Sequence, residues 1–464
     1  MTRAHHHPMI KRRAMGRLMV GAAASVAAGC SIRPQERVEP VGARGRLIAA
    51  VPPTHRQDEA ARIGLVILGP PSEATPIGFG FVPGTHQTYV VFDDGSARLF
   101  RGSGDFVELE SFAPRLSEVL LAGPNRQRIV GFTNRGTWSS WNSANLSQQL
   151  LLRPQQATFT QTRVLDVARV SDSPVLATAT EGRRMELWSL VSGNLSTASM
   201  LPEGIQPRVI MPDSRRNRIV FGTQTGDVRI WNGRRTTTRL YQHQARVLSI
   251  TRVGNRGIVS TAQDGRAFYY DWSEGRITAR LEFQRALYQS YASADGRLAV
   301  VVPALGAPGA FGPTMEDAAK MASPPAPRYA DGIFLSDNRH FMARQIDGSI
   351  NIWDVERQTL LRRYNMLIDN DNPAARRQSA MVVDFATAVQ QDVVLLTNDN
   401  LVQMSGLTRP GGFGTILTSE TRLAGIATSS DGRMAMVCLE NGQIVRFRIV
   451  RDIRGPIPIT ATAA

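Results

Sequence analysis

The sequence predicts an all-β fold assembled from a repeated unit, and three observations carry that prediction. A short hairpin signature recurs along the chain: an apolar run, a polar turn closing in Gly, then an alternating strand that ends in an aromatic. The turn glycines Gly95, Gly136, Gly182, Gly226 and Gly265 follow one another at 41, 46, 44 and 39 residues, a period that belongs to repeat architectures. Many of the turns are Asp-Gly, Asn-Gly or Thr-Gly, which supply the positive φ that tight hairpins require.

The copies can be followed in order. The first runs from Val90 to Phe100 around Gly95, the second from Ile129 to Trp141, and the third from Val175 through Gly182 to Trp188. The fourth turns at Gly226 and ends in Trp231, and the fifth turns at Gly265 and ends in Tyr270. A weak sixth, Asp295 to Val302, precedes the clearest of all, which turns at Gly348 and ends in Trp353. Val393 to Asn400 and Met434 to Phe447, the latter turning at Gly442, complete the series. Two-residue alternation puts apolar side chains between neighbouring units, and the aromatic at the end of each hairpin adds a large apolar surface there.

The hairpins 226–232 and 348–354, with a period near 40–45 residues, resemble the WD40 repeat, in which each copy is one four-stranded propeller blade. The segment 241–250 resembles a blade opening, with Gln242-His243 where that family usually has Gly-His. Segments 336–339 and 429–433 are similar to the turn such blades carry ahead of their third strand. The resemblance covers roughly 77–450 and implies a single β-propeller over 47–455, followed by a C-terminal tail at 456–464. Its structural blade residues are Gly226, Gly265, Gly348, Gly442, Trp188, Trp231, Tyr270 and Trp353. Most copies lack both Gly-His and the closing Trp-Asp, so the hydrogen-bonded tetrad of that family is not implied for them. Nine hairpin landmarks are present, but seven or eight blades are the common closures, and the expectation is eight within a range of seven to nine. An early strand at 62–68 is expected to pair with the last blade and so remove the free edges. Residues 303–330, rich in Pro, Gly and Ala, break the period and read as an inserted loop, either for docking or as a passive excursion.

The N-terminus reads as an address. Lys11, Arg12, Arg13 and Arg17 precede an apolar run, Leu18 to Ala28, too short to cross roughly 30 Å of hydrocarbon and suited to a signal segment. The run ends in Ala27-Ala28-Gly29-Cys30, which resembles the bacterial lipobox, with Ala27 where that motif usually has Leu. The resemblance implies a lipoprotein signal peptide at 1–29 and a diacylglyceryl thioether on Cys30, with a flexible tether over 30–46. Ser31 stands where an inner-membrane retention signal often places Asp, which favours the outer membrane. The Arg12-Arg13 pair leaves both general and twin-arginine export open.

The formal net charge is +15, but Arg3, Lys11, Arg12, Arg13 and Arg17 contribute five of those charges within 1–29. The remaining arginines are scattered through turns and strands without a run of interleaved aromatics, so nucleic acid is not an expected partner. A basic surface suits anionic headgroups or an acidic partner protein instead. Cys30 and Cys438 are the only cysteines, too few for a disulfide framework, so stability must come from burial. His55, His86, His243 and His340 have no metal-ligand spacing, and the Asp369–Asn372 stretch is followed by Pro373 and lacks the glycine and glutamate of a calcium loop. No Gly-x-Ser-x-Gly, phosphate-binding loop or dinucleotide fingerprint occurs. No catalytic residue, cofactor or metal is therefore expected, and the chain reads as no enzyme. The expected function is that of a periplasm-facing lipoprotein, a protein–protein interaction scaffold or accessory subunit of a cell-envelope complex for assembly, secretion or pilus work. Its partners would be proteins of that complex, and the membrane through Cys30. The alternative is a propeller enzyme or small-ligand receptor that uses the central channel.

Overall fold

The computed structural model describes residues 53–101, 106–109, 116, 118–122, 128–132, 138–143, 150–152, 164–170, 173–312, 314, 318–323, 327–364, 366–367, 379–380, 382–407, 412–451 and 457–459. The expected signal, Cys30, the tether and the stretch 369–372 lie outside the described residues.

Along the described chain, antiparallel four-stranded meanders follow one another as blades 1 to 8 over 76–109, 118–152, 164–200, 207–242, 247–282, 287–320, 329–364 and 384–419. Three further strands over 423–448 form blade 9, and its fourth strand comes from the start of the described chain. Val66–Leu68 pairs antiparallel with Ile444–Arg448, Ile67 opposite Val445, so the early strand expected to close the ring does so. Among the described residues the fold is a β-propeller of nine blades, the upper end of the expected range, because the weak sixth copy is a blade of its own.

The blades are held by what lies between them. Both faces of each blade are apolar, and the buried side chains fall into nine clusters, each shared by two adjacent blades. Fully buried aromatics mark these boundaries: Trp141 between blades 1 and 2, Trp188 between 2 and 3, Trp231 between 3 and 4, and Trp353 between 6 and 7. Tyr270 serves the boundary of blades 4 and 5, and Phe447 that of blades 8 and 9. The indole N–H groups of Trp231 and Trp353 donate to the carbonyls of Arg234 and Ala322, both at 2.7 Å, so burial strands neither. The ninth cluster joins the last blade to the first: Leu68, Met436, Cys438 and Ile444 pack on Phe81, Phe92 and Phe100. Gly442 is required at this seam, since its φ is +78° and a Cβ there would lie 2.3 Å from the Phe92 ring.

Three sequence expectations need correction. Residues 303–330 are no inserted loop, because Gly309–Phe311 and Ala318–Lys320 are the third and fourth strands of blade 6. Gly309 permits the close approach to blade 5, where a Cβ would collide with Phe283 and Leu281, and Phe311 is fully buried at that boundary. Strands of only three residues leave no alternation long enough to recognise. The C-terminal tail is likewise structural at Ile457–Ile459, which runs parallel to Gly412–Ser419 as a fifth strand on blade 8. Helix α1 (Pro53–Arg62) precedes the closing strand within the span assigned to the propeller, and Ile63 at its end packs with Ile457 and Ile459. Finally, the turns at 336–339 and 429–433 join first to second strands, not second to third.

Two outcomes follow for stability. Trp353→Ala should cost roughly 3–5 kcal/mol, as truncation of a buried aromatic does, read as a lower denaturant midpoint. Deleting 307–325 removes two strands and exposes the blade 5 and blade 7 boundaries, so cooperative melting should be lost; a deleted protein that melts like the parent would show those strands to be dispensable.

Candidate ligand-binding cleft at the ring closure

In a four-stranded meander the turn joining second to third strand lies on one face of the ring, and the turns joining first to second and third to fourth lie on the other. Gly95, Gly226, Gly265, Gly348 and Gly442 occupy second-to-third turns and share the first face, all with positive φ. At Gly226 the φ is +94°, and a Cβ would meet the His243 and Ala245 carbonyl oxygens at 2.4 and 2.7 Å. The turn is pinned against the link to the next blade, with the His243 N–H donating to Gly226 O at 2.9 Å.

That link carries a buried polar cluster. His243 Nε2 lies 2.8 Å from Ser260 Oγ, which also accepts from the Tyr241 hydroxyl at 2.9 Å. The imidazole stacks on Phe268 at 4.3 Å, and Asp264 takes the Gln244 N–H at 2.8 Å. Burial pulls the His243 imidazole down to about 4, against the opposing pull of Asp264. The ring is neutral at physiological pH, enclosed and engaged, so its role is to fasten blade 4 to blade 5.

The opposite face opens where the ring closes. A cleft of about 730 Å³ is lined by His86, Gln87 and Arg101 of blade 1, Gln391 of blade 8, and Arg433, Met434, Arg446, Arg448, Ile449 and Val450 of blade 9, with Gly64 ahead of the closing strand. Each comes from, or adjoins, a turn of this face. The Arg448 N–H donates to Ile63 O at 2.8 Å, which fixes the strand end beside Gly64.

The cleft is electropositive. Arg446 donates from Nη1 to His86 O at 3.2 Å, and partial burial lowers its guanidinium below the usual value. The neighbouring acid Asp431 is already engaged: His86 Nε2 lies 3.0 Å away, and Ser429 Oγ and the Arg433 N–H reach it at 2.5 and 3.1 Å. Burial raises this carboxyl, but those hydrogen bonds outweigh it and hold it at about 2. Arg101, Arg433 and Arg448 form no ion pair among the described residues. On the rim, Arg451 donates to Gln391 O at 2.7 Å.

Sequence reasoning does not find this site. The predicted residues Trp188, Trp231, Tyr270 and Trp353 lie between blades, and Gly226, Gly265, Gly348 and Gly442 lie in turns of the other face, so none of them lines the cleft. The lining residues are spread from 64 to 450, and no local motif joins them. The one signal that could have found them is ring closure, which sets the first and last blades side by side.

No protein-family model matches the chain, and no curated protein matches it in sequence. Among solved structures, the chain is similar to the C-terminal WD40 domain of Sif2, with a TM-score of 0.53 and 14% identity over 83% of this chain and 98% of that one. It is also similar to the computationally designed protein Ika8, with a TM-score of 0.52 and 13% identity over 82% of this chain and 99% of that one. These likenesses show the fold: a propeller with WD40-like blades.

The buried imidazole makes stability depend on pH. Its folded value of about 4 lies below the unfolded 6.5, so the unfolded chain binds the extra proton first as pH falls. Stability from this group is complete above pH 6.5 and is lost between 6.5 and 4, about 3 kcal/mol at most. Urea midpoints measured across that window should fall more steeply for the parent than for His243→Gln; parallel slopes would remove His243 as the cause.

Proposed function

We propose that the chain is a lipid-anchored propeller of the bacterial cell envelope that acts by binding, as a scaffold or accessory subunit of a complex for assembly, secretion or pilus work. The observation that carries this reading is the closed ring itself, which holds two loop-built faces rigid, one of them opening into a cleft shared by three blades. Surfaces that are already ordered lose little entropy on docking, so such a ring favours recognition of proteins.

The anchor rests on the lipobox resemblance at Cys30. Acyl chains stabilise attachment by about 0.8 kcal/mol per buried CH₂, so two or three of them give stable anchoring where one would be marginal. Read as a flexible tether, 31–46 would have an r.m.s. span of about 20–24 Å and would keep the folded body close to the bilayer, on the periplasmic side of the outer membrane.

Cys30→Ser should lose a palmitate-analogue label and leave the membrane fraction; label retained on that variant would sink the anchor. Purification of the anchored protein from detergent-solubilised membranes should bring envelope proteins with it in stoichiometric amount, identified by mass spectrometry. A protein recovered alone, under conditions that preserve other envelope complexes, would sink the scaffold reading.

A further inference from the structure

We propose that the cleft at the ring closure binds an organic phosphate, the phosphoryl group held by Arg101, Arg433, Arg446 and Arg448 and the organic part resting on Met434 and Val450. This assignment is independent of the protein-partner reading.

Three observations carry it. Four guanidiniums line one cleft, and Arg101, Arg433 and Arg448 have no ion-pair partner among the described residues. Like charges gathered without a counter-ion repel one another, so the arrangement is relieved by a bound anion. The neighbouring acid does not supply that anion, because Asp431 is committed to His86 and to its own turn. The number of arginines favours one class of anion: a carboxylate offers two oxygens and one charge, whereas a phosphomonoester offers three oxygens and a charge nearer −2. A cleft of about 730 Å³ lies in the range that takes a whole small molecule, far more than a bare ion needs. Met434 and Val450, both half-buried, are apolar members of the lining, which suits a phosphate carried on a carbon skeleton.

Two sources share this chemistry: a free phosphomonoester and the phosphomonoester headgroup of phosphatidic acid. The test uses the full chain carrying Cys30→Ser, so that acylation contributes nothing to membrane binding. Glycerol 3-phosphate is titrated at constant ionic strength, with thermal unfolding and calorimetry as readouts. In parallel, sedimentation is measured with phosphatidylcholine vesicles with or without phosphatidic acid. The comparison protein adds Arg433→Gln and Arg448→Gln, both at exposed positions. Saturable stabilisation by glycerol 3-phosphate, weakened about tenfold or more for each lost guanidinium, supports the site and assigns a free ligand. Arginine-dependent retention on the phosphatidic acid vesicles alone supports it and assigns a headgroup. Equal responses of the two proteins, or no response in either arm, overturn it. So does binding of an oligoglutamate peptide where both phosphate probes fail, which would assign an acidic polypeptide. If the double variant does not fold, Arg433→Gln alone is read in the same way.

Discussion

Each blade of this protein buries both of its faces only against its neighbours, and that single constraint governs the rest of the structure. A lone meander would leave two apolar surfaces in water. An open row of blades would leave one such surface at each end, with a free strand edge beside it. The ninth boundary, where Phe92 and Phe100 meet Met436 and Ile444, removes the end surfaces, and the closing strand Val66–Leu68 removes the edge of blade 9. Blade 8 has its own cover, because Ile457–Ile459 lies along its outer strand and packs with Ile63. Both ends of the described chain are thus spent on the same stretch of the ring.

The inner strands add a polar seam to these apolar boundaries. Asp166 accepts from the Ile210 N–H at 2.8 Å, and Asp384 accepts from the Ile426 N–H at 3.0 Å, each across a blade boundary. Ser249 and Ser290 meet at 2.6 Å, and the Thr428 hydroxyl donates to Thr387 O at 2.9 Å. Hydrophobic contact brings the blades together without direction, whereas these bonds specify how one inner strand stands against the next. A ring built this way presents its loops at fixed positions, which is the property a recognition surface needs.

Closure has a consequence for chemistry as well. The boundary of blades 9 and 1 is where the chain's two ends meet, and its turns carry arginines whose positive charge the nearby acid does not balance. Elsewhere many arginines are neutralised locally: Asp213 serves Arg216 and Arg218, Asp354 serves Arg339, and Asp331 serves Arg344. What the seam adds is the gathering of four arginines around one cleft.

The sequence by itself determined the repeat, the turn glycines, the aromatic ends of the hairpins and the closing strand, because each depends on a few neighbouring residues. A positive φ asks for Gly226, and a two-residue period asks for alternation in Ile219–Trp231. It did not determine the blade count, since the three-residue strands of blade 6 are too short to show a period and draw their order from Phe311 packing against blade 5. Nor did it determine the role of 457–459, whose pairing is with a strand forty residues earlier. The cleft belonged wholly to the tertiary structure. Arg101 and Arg448 are remote in the chain and line one cavity only because nine apolar boundaries, summed around the ring, return the last blade to the first.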